Sequence, residues 1–545
     1  MNMRNWSRLA AIVLLSLVLG ALYGQFLSNP IIFDDLPFFM VGRNGQQPVD
    51  RYGFSWLEIR SLPYATLTWT KAWFGLELVY FRLGNLFLHI ATTLALFGLL
   101  QAVFRAVYVP KSVDSLSPRQ AAWLAALLFG LHPVATYAVG YLVQRSLVMA
   151  TLFSLLALWA YTQGSVENKP RLLWLSLPLY YLAAYSKEHA IMLVVVLLPL
   201  TILLHTDWRQ KLAQRWLLFV ALLGIAALVV ASRKGLLGSS YEIDAPAMLG
   251  ADAGPMAYPL SVITQCGLFF KYALLWLWPN IHWMSIDMRE PFVRSMTGLK
   301  VLAPVLFVAW GWIGLRLLTK RGNRGLLGLA MLGPWLLFFT ELVVVRIQEP
   351  FVLYRSYLWA SAALFALPVL LNGVEKKLIA MLGFAVAATF FVLSMERLAT
   401  LADPILVWND AKELVERNGE KEGADRIYYN LGRQLLLNHM FNESEENLKK
   451  ALVLDPDLAQ AHGALGAVYN GRSQWEQAIS EYTIARGINE RRKEPASSVY
   501  LMGRAKAYEG AGQLKLAVAD YLEACRIDES MCEVLRKSAT VVKAP

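Results

Sequence analysis

Long apolar runs, broken by short basic clusters, fill residues 1 to about 397. From about 398 onward apolar and charged positions alternate at helical spacing. A helix needs about 20 apolar residues to cross a bilayer core. The runs at 9–27, 82–104, 120–139, 144–162, 171–186, 189–205, 215–232, 298–318, 325–343, 353–372 and 378–396 therefore predict eleven transmembrane helices. Those at 171–186 and 189–205 are short and depend on their neighbours. The opening MNMRNWSRLAAIVLLSLVLGALYG could begin a cleaved signal peptide. The length of its apolar run, its poor cleavage signal and the many spans that follow favour a retained first helix.

The basic residues set an orientation. Arg4 and Arg8 precede the first span; Arg105, Lys111 and Arg119 lie between the second and third; Lys169 and Arg171 follow the fourth. Arg209, Lys211 and Arg215 follow the sixth, Arg316, Lys320, Arg321 and Arg324 the eighth, and Lys376 and Lys377 the tenth. All fall on one side, which is predicted to be cytoplasmic. Residues 258–279 are long enough to span, but a span there would invert every later loop. The segment is therefore expected to pack at, or dip into, the outer face, leaving the C-terminal region outside the cytoplasm. Two large outer loops result, about 28–81 and 233–297, the first with an interfacial helix near 62–75.

The polar tail repeats with a period of about 34. Tyr428, Leu431, Gly432, Ala451 and Pro456 fit one tetratricopeptide unit; His462, Leu465, Gly466, Tyr469, Ala478, Tyr482 and Ala485 fit the next. Leu501, Ala505, Tyr508, Ala517, Tyr521 and Ala524 fit a third, after the insertion INERRKEPASS. Small residues let paired helices approach and aromatics fill the gaps between them. The predicted organisation is all-α: a polytopic membrane domain over 1–397, a linker helix over 398–424, and an α-solenoid over 425–545. The solenoid's repeats lie near 425–458, 459–492 and 498–531, followed by a C-terminal helix.

Composition sharpens this picture at three points. Hydrophobic residues make up 57% and charged residues 17% of the 545, against about 25% charged for soluble domains, which accounts for the membrane portion. The net charge of +11 is dispersed through loops and forms no basic stripe with interleaved aromatics, which excludes nucleic-acid binding. The three cysteines, Cys266, Cys525 and Cys532, have no metal-ligand spacing. Cys525 and Cys532 are expected as two half-buried helical thiols, with a disulfide between them left open.

Ionisable residues gather at the outer ends of the predicted spans. Asp34 and Asp35 follow the first; His132 ends the third; Arg145 opens the fourth; Lys187, Glu188 and His189 form the turn between the fifth and sixth; Arg355 opens the tenth. Such residues at membrane depth point to function. Each also has a structural explanation: a solvated loop pair or helix cap for the aspartates, interfacial anchoring for the arginines, an ion pair for Lys187 and Glu188, and a cap for His132. Together, acids opposite cations in an outer cavity suit an enzyme that uses a phosphorylated lipid.

Five stretches resemble the transmembrane O-mannosyltransferases that carry tetratricopeptide repeats, within the GT-C glycosyltransferase superfamily. They are IIFDDLPFF, GNLFLHIATTLALFGLL, LLFGLHPVATYAVGYLVQRSLVMATLFSLLALWAY, YLAAYSKEHAIML and LYRSYLWAS. They occur in family order over most of 20–365, and the repeats follow as in the family. One departure is plain: where the family has Arg-Pro-Leu after its first long loop, this chain reads Arg60-Ser61-Leu62-Pro63. The resemblance implies a polyprenyl- or dolichyl-phosphate sugar donor and an acceptor hydroxyl on a protein or glycan, with an acidic residue of the first outer loop as general base. Asp34 and Asp35 are the candidates, Asp34 being favoured. A hydroxyl needs a positioned carboxylate to become a nucleophile at neutral pH, and the departing lipid phosphate needs fixed cations. Arg355, Arg145 and Lys187 are expected to bind the phosphate, with Glu188, His189, His132 and Arg60 in support. The compactness of the chain suggests a bacterial relative in the inner membrane, with its repeats outside the cytoplasm and binding the acceptor or a partner protein.

No cofactor is required by this chemistry. Two adjacent aspartates could contribute to a divalent site, but hard cations need several oxygen ligands and no second acidic cluster is evident, which leaves metal dependence undecided. The alternative class is a non-catalytic membrane scaffold whose repeats recruit a partner for envelope assembly. Transport would call for paired charges at the bilayer midplane, whereas the charges here lie mostly at the outer ends.

Overall fold

The computed structural model describes residues 3–39, 48–232, 249, 254–419 and 422–532. Parts of both expected outer loops (40–47 and 233–253, except 249) and the expected C-terminal helix beyond 532 lie outside the described residues. The chain divides into two compact units. Of the described residues, those up to 284 and from 292 to 402 form the first; 285–291 join 403–532 in the second. The change of unit thus falls at Ala402/Asp403, five residues after the composition shift near 397, and the seven-residue strip 285–291 belongs with the tail.

The first unit is all-helical. Its longer helices are α1 (Met3–Tyr23), α2 (Ser61–Phe74), α3 (Leu78–Val107), α4 (Pro118–Gly130), α5 (Arg145–Val166), α6 (Pro170–Ser186), α7 (Leu193–Leu204), α8 (Trp216–Ser232), α9 (Ala257–Leu277), α10 (Leu302–Thr319), α11 (Gly322–Phe338), α12 (Tyr357–Ala363) and α13 (Lys376–Thr400). Local chemistry sets several boundaries. Ser117 and Gln120 form a reciprocal capping box at the start of α4, with Pro118 in the first turn. The chain breaks at Leu131–His132, because Pro133 cannot continue the helix, and resumes over Pro133–Val139 at an angle of 52°. A second break at Arg215 bends the chain by 71°.

Eight helical segments among the described residues are long and apolar enough to cross a membrane, or ten if each bent pair is one span. The expected spans at 171–186 and 189–205 fold as α6 and α7, with 17 and 12 residues. The central helices α3 and α5 are buried over most of their surface. By contrast α8, α10 and α13 leave large apolar side chains exposed, among them Val220, Leu306, Met381 and Phe384. Such faces suit a lipid environment, where no water must be excluded from them.

Hydrogen bonds sort the loops between two ends. At one, Val109 N donates to Asn323 Oδ1 (2.9 Å), Lys111 N to Asn372 Oδ1 (2.9 Å), Lys376 Nζ to Val113 O (2.6 Å) and Arg321 Nη2 to Thr206 O (3.2 Å). These are the basic loops, gathered at one end. The far end holds Asn29 bonded to Leu398 O (2.9 Å), along with Arg60, Glu188, His189 and Glu341.

Helix α9 is the segment whose spanning the sequence left ambiguous. It has 21 continuous residues, a length of about 31 Å at the usual rise. Its partners lie in the far half of the bundle: Ser261 bonds to Val344 O (3.5 Å), Gln265 to Pro350 O (2.8 Å), Tyr272 to Val352 O (3.0 Å) and Trp276 Nε1 to Ser356 Oγ (2.9 Å). Eight residues after Trp276, Met284 O accepts from Arg397 (3.2 Å), in the last turn of α13. By length and composition α9 is one of the eight segments that could cross a membrane.

The second unit contains α14 (Pro404–Asn418), α15 (Ala424–Leu437), α16 (Phe441–Leu454), α17 (Ala459–Gly471), α18 (Trp475–Arg491), α19 (Ser498–Gly510) and α20 (Leu514–Ile527). From α15 onward the helices pack as three successive hairpins, each against the next. Gly432 and Gly466, one period apart, are where the paired helices touch: an added Cβ would lie 2.7 Å from Leu448 and 3.0 Å from Tyr482. The strip 285–291 is anchored by Asp287, whose Oδ2 accepts from Arg289 Nη2 (2.8 Å) and from Arg426 Nε (3.0 Å) and Nη2 (2.8 Å). Burial pushes this carboxyl up, and the two guanidiniums override it, holding its pKa below the usual range. Cys525 and Cys532 form a disulfide with Cα atoms 4.8 Å apart. The expectation of two separate thiols is corrected because the chain turns at Asp528–Met531 and brings Cys532 back over the end of α20.

Candidate active site

Residues 140–145, joining the bent fourth helix to α5, are where the predicted site residues converge. Gly140 O accepts from Arg82 Nη1 (2.8 Å), and Tyr141 O from Asn85 Nδ2 (3.0 Å). Leu142 N and Val143 N donate to the two oxygens of Asp35, at 3.1 and 2.9 Å. Gln144 Oε1 accepts from Lys187 Nζ (2.7 Å). The FDD and SKEH motifs, 150 residues apart, are thereby fastened to neighbouring positions of one strip.

The two aspartates have different surroundings. Asp35 is fully buried with both oxygens on backbone N–H groups, and burial pushes its pKa up to about 6 against the opposing pull of those bonds and of Arg82. Asp34 is half-buried. Phe33 before it has φ +43°, and Arg60 has φ +67°; left-handed backbone at a bulky residue is strained and concentrates at functional positions. Ring contacts carry the FDD turn toward Lys187: Phe33 to Tyr141 (6.5 Å), Tyr141 to Tyr354 (6.0 Å), and Lys187 Nζ over Tyr354 (5.2 Å).

Beside Lys187 lies a buried charge cluster centred on Glu341, just past α11. Glu341 Oε1 accepts from His189 Nε2 (2.9 Å); Oε2 accepts from Arg346 Nη1 (2.6 Å) and Arg355 Nη1 (3.3 Å). Glu341 is 1% exposed, and the Arg346 and Arg355 side chains 11% and 7%. The Lys187 ammonium is driven down to about 7, first by burial and then by the positive charges of Arg60 and Arg355. Arg346 and Arg355 meet on one carboxylate beside Lys187, and such a gathering of donors suits an anion.

Of the residues expected at the phosphate, Lys187 and Arg355 share this cluster. Arg145 is engaged elsewhere. Its guanidinium bonds to Asn85 Oδ1 (2.8 Å), Phe81 O (2.7 Å), Thr66 Oγ1 (3.3 Å) and Thr70 Oγ1 (3.4 Å), tying α2 and α3 to α5. Gly84 makes room for it, since a Cβ there would lie 2.7 Å from Nη2. Arg60 pairs in bidentate fashion with Glu188, with one bond of 3.0 Å, bracing the SKEH turn. His132 sits apart: Nδ1 accepts from Val134 N (3.2 Å), Nε2 bonds to Trp276 O (3.1 Å), and the ring stacks on Trp276, an arrangement that caps the helix break.

Glu341 and Arg346 were missed from the sequence, as were Gln144 and Tyr354. Glu341 had a signal: it is an acid inside the apolar run 325–343, and such residues are costly unless paired. Gln144 and Tyr354 had none, because their partner Lys187 is distant in sequence, whereas Arg346 lies only five residues from Glu341. Among the described residues no cluster of three or more His, Cys, Asp or Glu side chains is assembled that could hold a metal ion.

No family model matches the chain. A protein O-mannosyl-transferase of Caenorhabditis elegans is 23% identical to it over 347 residues, 62% of this chain and 46% of that protein. The chain thus spans about half the length of the curated relative it matches, and across that stretch it is similar to a protein O-mannosyl-transferase.

Proposed function

We propose that the first unit is a membrane glycosyltransferase of GT-C type. It transfers a sugar from a polyprenyl-phosphate donor to a protein hydroxyl at the end of the bundle remote from the basic loops. The observation that carries this is the buried meeting of Arg346 and Arg355 on one carboxylate, with Lys187 beside them on Gln144, at the same end as the FDD turn. The cations hold the lipid phosphate. Asp34 takes the proton from the acceptor hydroxyl as its oxygen attacks the anomeric carbon, and the C–O bond to the phosphate breaks toward the cations. Guanidinium forks suit that departing charge because they pair two oxygens at once. Incubating the purified chain with a panel of polyprenyl-phosphate sugars and protein acceptors tests this. Sugar transfer from one donor is expected; transfer or hydrolysis from none overturns the reading in favour of a scaffold.

The basic end faces the cytoplasm in this proposal, α9 is re-entrant from the outer face, and the helical hairpins of the tail are extracytoplasmic tetratricopeptide repeats that hold the acceptor or a partner protein. The Cys525–Cys532 disulfide supports that side, since such bonds persist in oxidising compartments. A periplasmic-type phosphatase reporter fused after Ala402 should be active. Signal only from a cytoplasmic reporter at that position would make α9 a full span and reverse the assignment.

Lys187 makes donor binding depend on pH. Its pKa of about 7 in the free site means the ammonium is present below that pH and lost above it. A bound phosphate restores the charge, so binding takes up a proton in alkaline solution. Donor affinity should be flat below pH 7 and fall up to about tenfold per pH unit above it. Lys187→Met should flatten the profile; an unchanged profile in that variant would remove Lys187 from the phosphate site.

A further inference from the structure

The glycosyltransferase reading leaves one atom of the charge cluster without work. His189 is buried, and its Nε2 lies 2.9 Å from Glu341 Oε1. The Glu341 carboxylate already receives two guanidinium bonds, so it can only accept, and the ring proton must sit on Nε2. In the neutral ring Nδ1 is then a bare acceptor. No protein group among the described residues hydrogen bonds to it. Buried polar atoms are nearly always paired, and an orphan calls for an explanation. A phosphodiester cannot supply one, because it has no hydrogen to donate. Lys187, Arg346 and Arg355 can only donate and the Glu341 carboxylate already accepts three bonds, whereas Nδ1 can accept from a hydroxyl.

We infer that His189 Nδ1 accepts a hydrogen bond from a hydroxyl of the donor's sugar and so helps determine which sugar is used. Glu341 is then a positioning residue: it holds the ring in the tautomer that leaves Nδ1 free, while keeping Arg346 and Arg355 in place for the phosphate. Phosphate and sugar are read from opposite sides of one carboxylate. The inference rests on the proposed glycosyltransferase activity and adds to it the means of telling a glycosylated lipid phosphate from the bare one. A site built to pair a substrate hydroxyl rejects ligands that lack it, because its own polar atom is otherwise left unpaired.

The test compares two probes on the full chain in detergent: undecaprenyl phosphate alone, and undecaprenyl phosphate carrying mannose, glucose, galactose or N-acetylglucosamine. His189→Gln keeps a donor where Nε2 stood but has no acceptor at the Nδ1 position. It should weaken binding of the preferred glycosylated lipid about tenfold while leaving bare undecaprenyl phosphate within twofold of the parent. His189→Asn, which returns a carbonyl oxygen near the Nδ1 position, should recover most of the preference. Equal loss for both kinds of lipid, or no loss for either, overturns the sugar-reading role. If His189→Gln does not fold, a deoxy-sugar series on the unaltered chain decides: no single deoxygenation costing more than twofold also overturns it. Failure of the unaltered chain to bind any of these lipids would instead overturn the glycosyltransferase reading itself.

Discussion

Asp34→Asn should abolish nearly all sugar transfer while the chain still binds donor. General-base removal typically costs about 10² to 10⁴ in rate, and the substitution keeps the size of the side chain and most of its hydrogen bonds. The structure sharpens the contrast with its neighbour. Asp35 is wholly buried, with both oxygens engaged by Leu142 N and Val143 N; Asp34 is half-buried on the same turn. Asp35→Asn replaces one acceptor oxygen with a donor facing a backbone N–H, so its loss should appear in folding and in donor affinity as well as in rate. The separation is read from donor titrations beside transfer assays. Should Asp35→Asn lose only the rate while Asp34→Asn transfers normally, the base is Asp35. Normal transfer by both single variants and the double variant would remove the FDD turn from catalysis and favour the scaffold reading.

Glu341→Ala should be the most damaging substitution for the fold of the first unit. Breaking a buried ion pair from one side costs about 3–5 kcal/mol, because the remaining charge is left uncompensated. Two guanidiniums and the Nε2–H of His189 all depend on this carboxylate. Set against a total of about 5–15 kcal/mol for a typical domain, the loss should show as a marked drop in thermal stability and in the yield of folded protein. Added polyprenyl phosphate should restore part of that stability, because it brings negative charge back to the same cations. Glu341→Gln, which keeps the shape and one acceptor, should fall between the two. A Glu341→Ala chain as stable as its parent would mean that the cations are balanced in some other way, and the phosphate site would have to be sought elsewhere.

Much of this architecture was legible in the order of residues alone, because burying apolar surface and placing basic loops are statistical demands that act along the chain. Runs of about 20 apolar residues marked most of the membrane-capable helices. The period of 34 marked the helical hairpins, since Gly432 and Gly466 recur wherever paired helices must touch. The basic loops were placed on one side, and hydrogen bonds such as Val109 to Asn323 gather them at one end. Motif by motif, FDD, SKEH and LYRS stood out as charges beside apolar runs.

The tertiary structure alone decided which of those charges meet. Arg145 and Arg355 look alike in sequence, each opening an apolar helix. Yet Arg145 is bound by carbonyl and hydroxyl oxygens of α2 and α3, and Arg355 by the carboxylate of Glu341. His132 and His189 likewise each end a stretch of helix, and only the second faces a carboxylate. Arg60 meets Glu188 across 128 positions, and Lys187 meets Gln144 across 43. Cys532 turns back to Cys525 through a local bend that helical periodicity did not foretell. The reason is common to all of them. Apolar periodicity is a property of neighbours along the chain, but an ion pair or a hydrogen bond is satisfied by whichever partner the packing brings within about 3 Å.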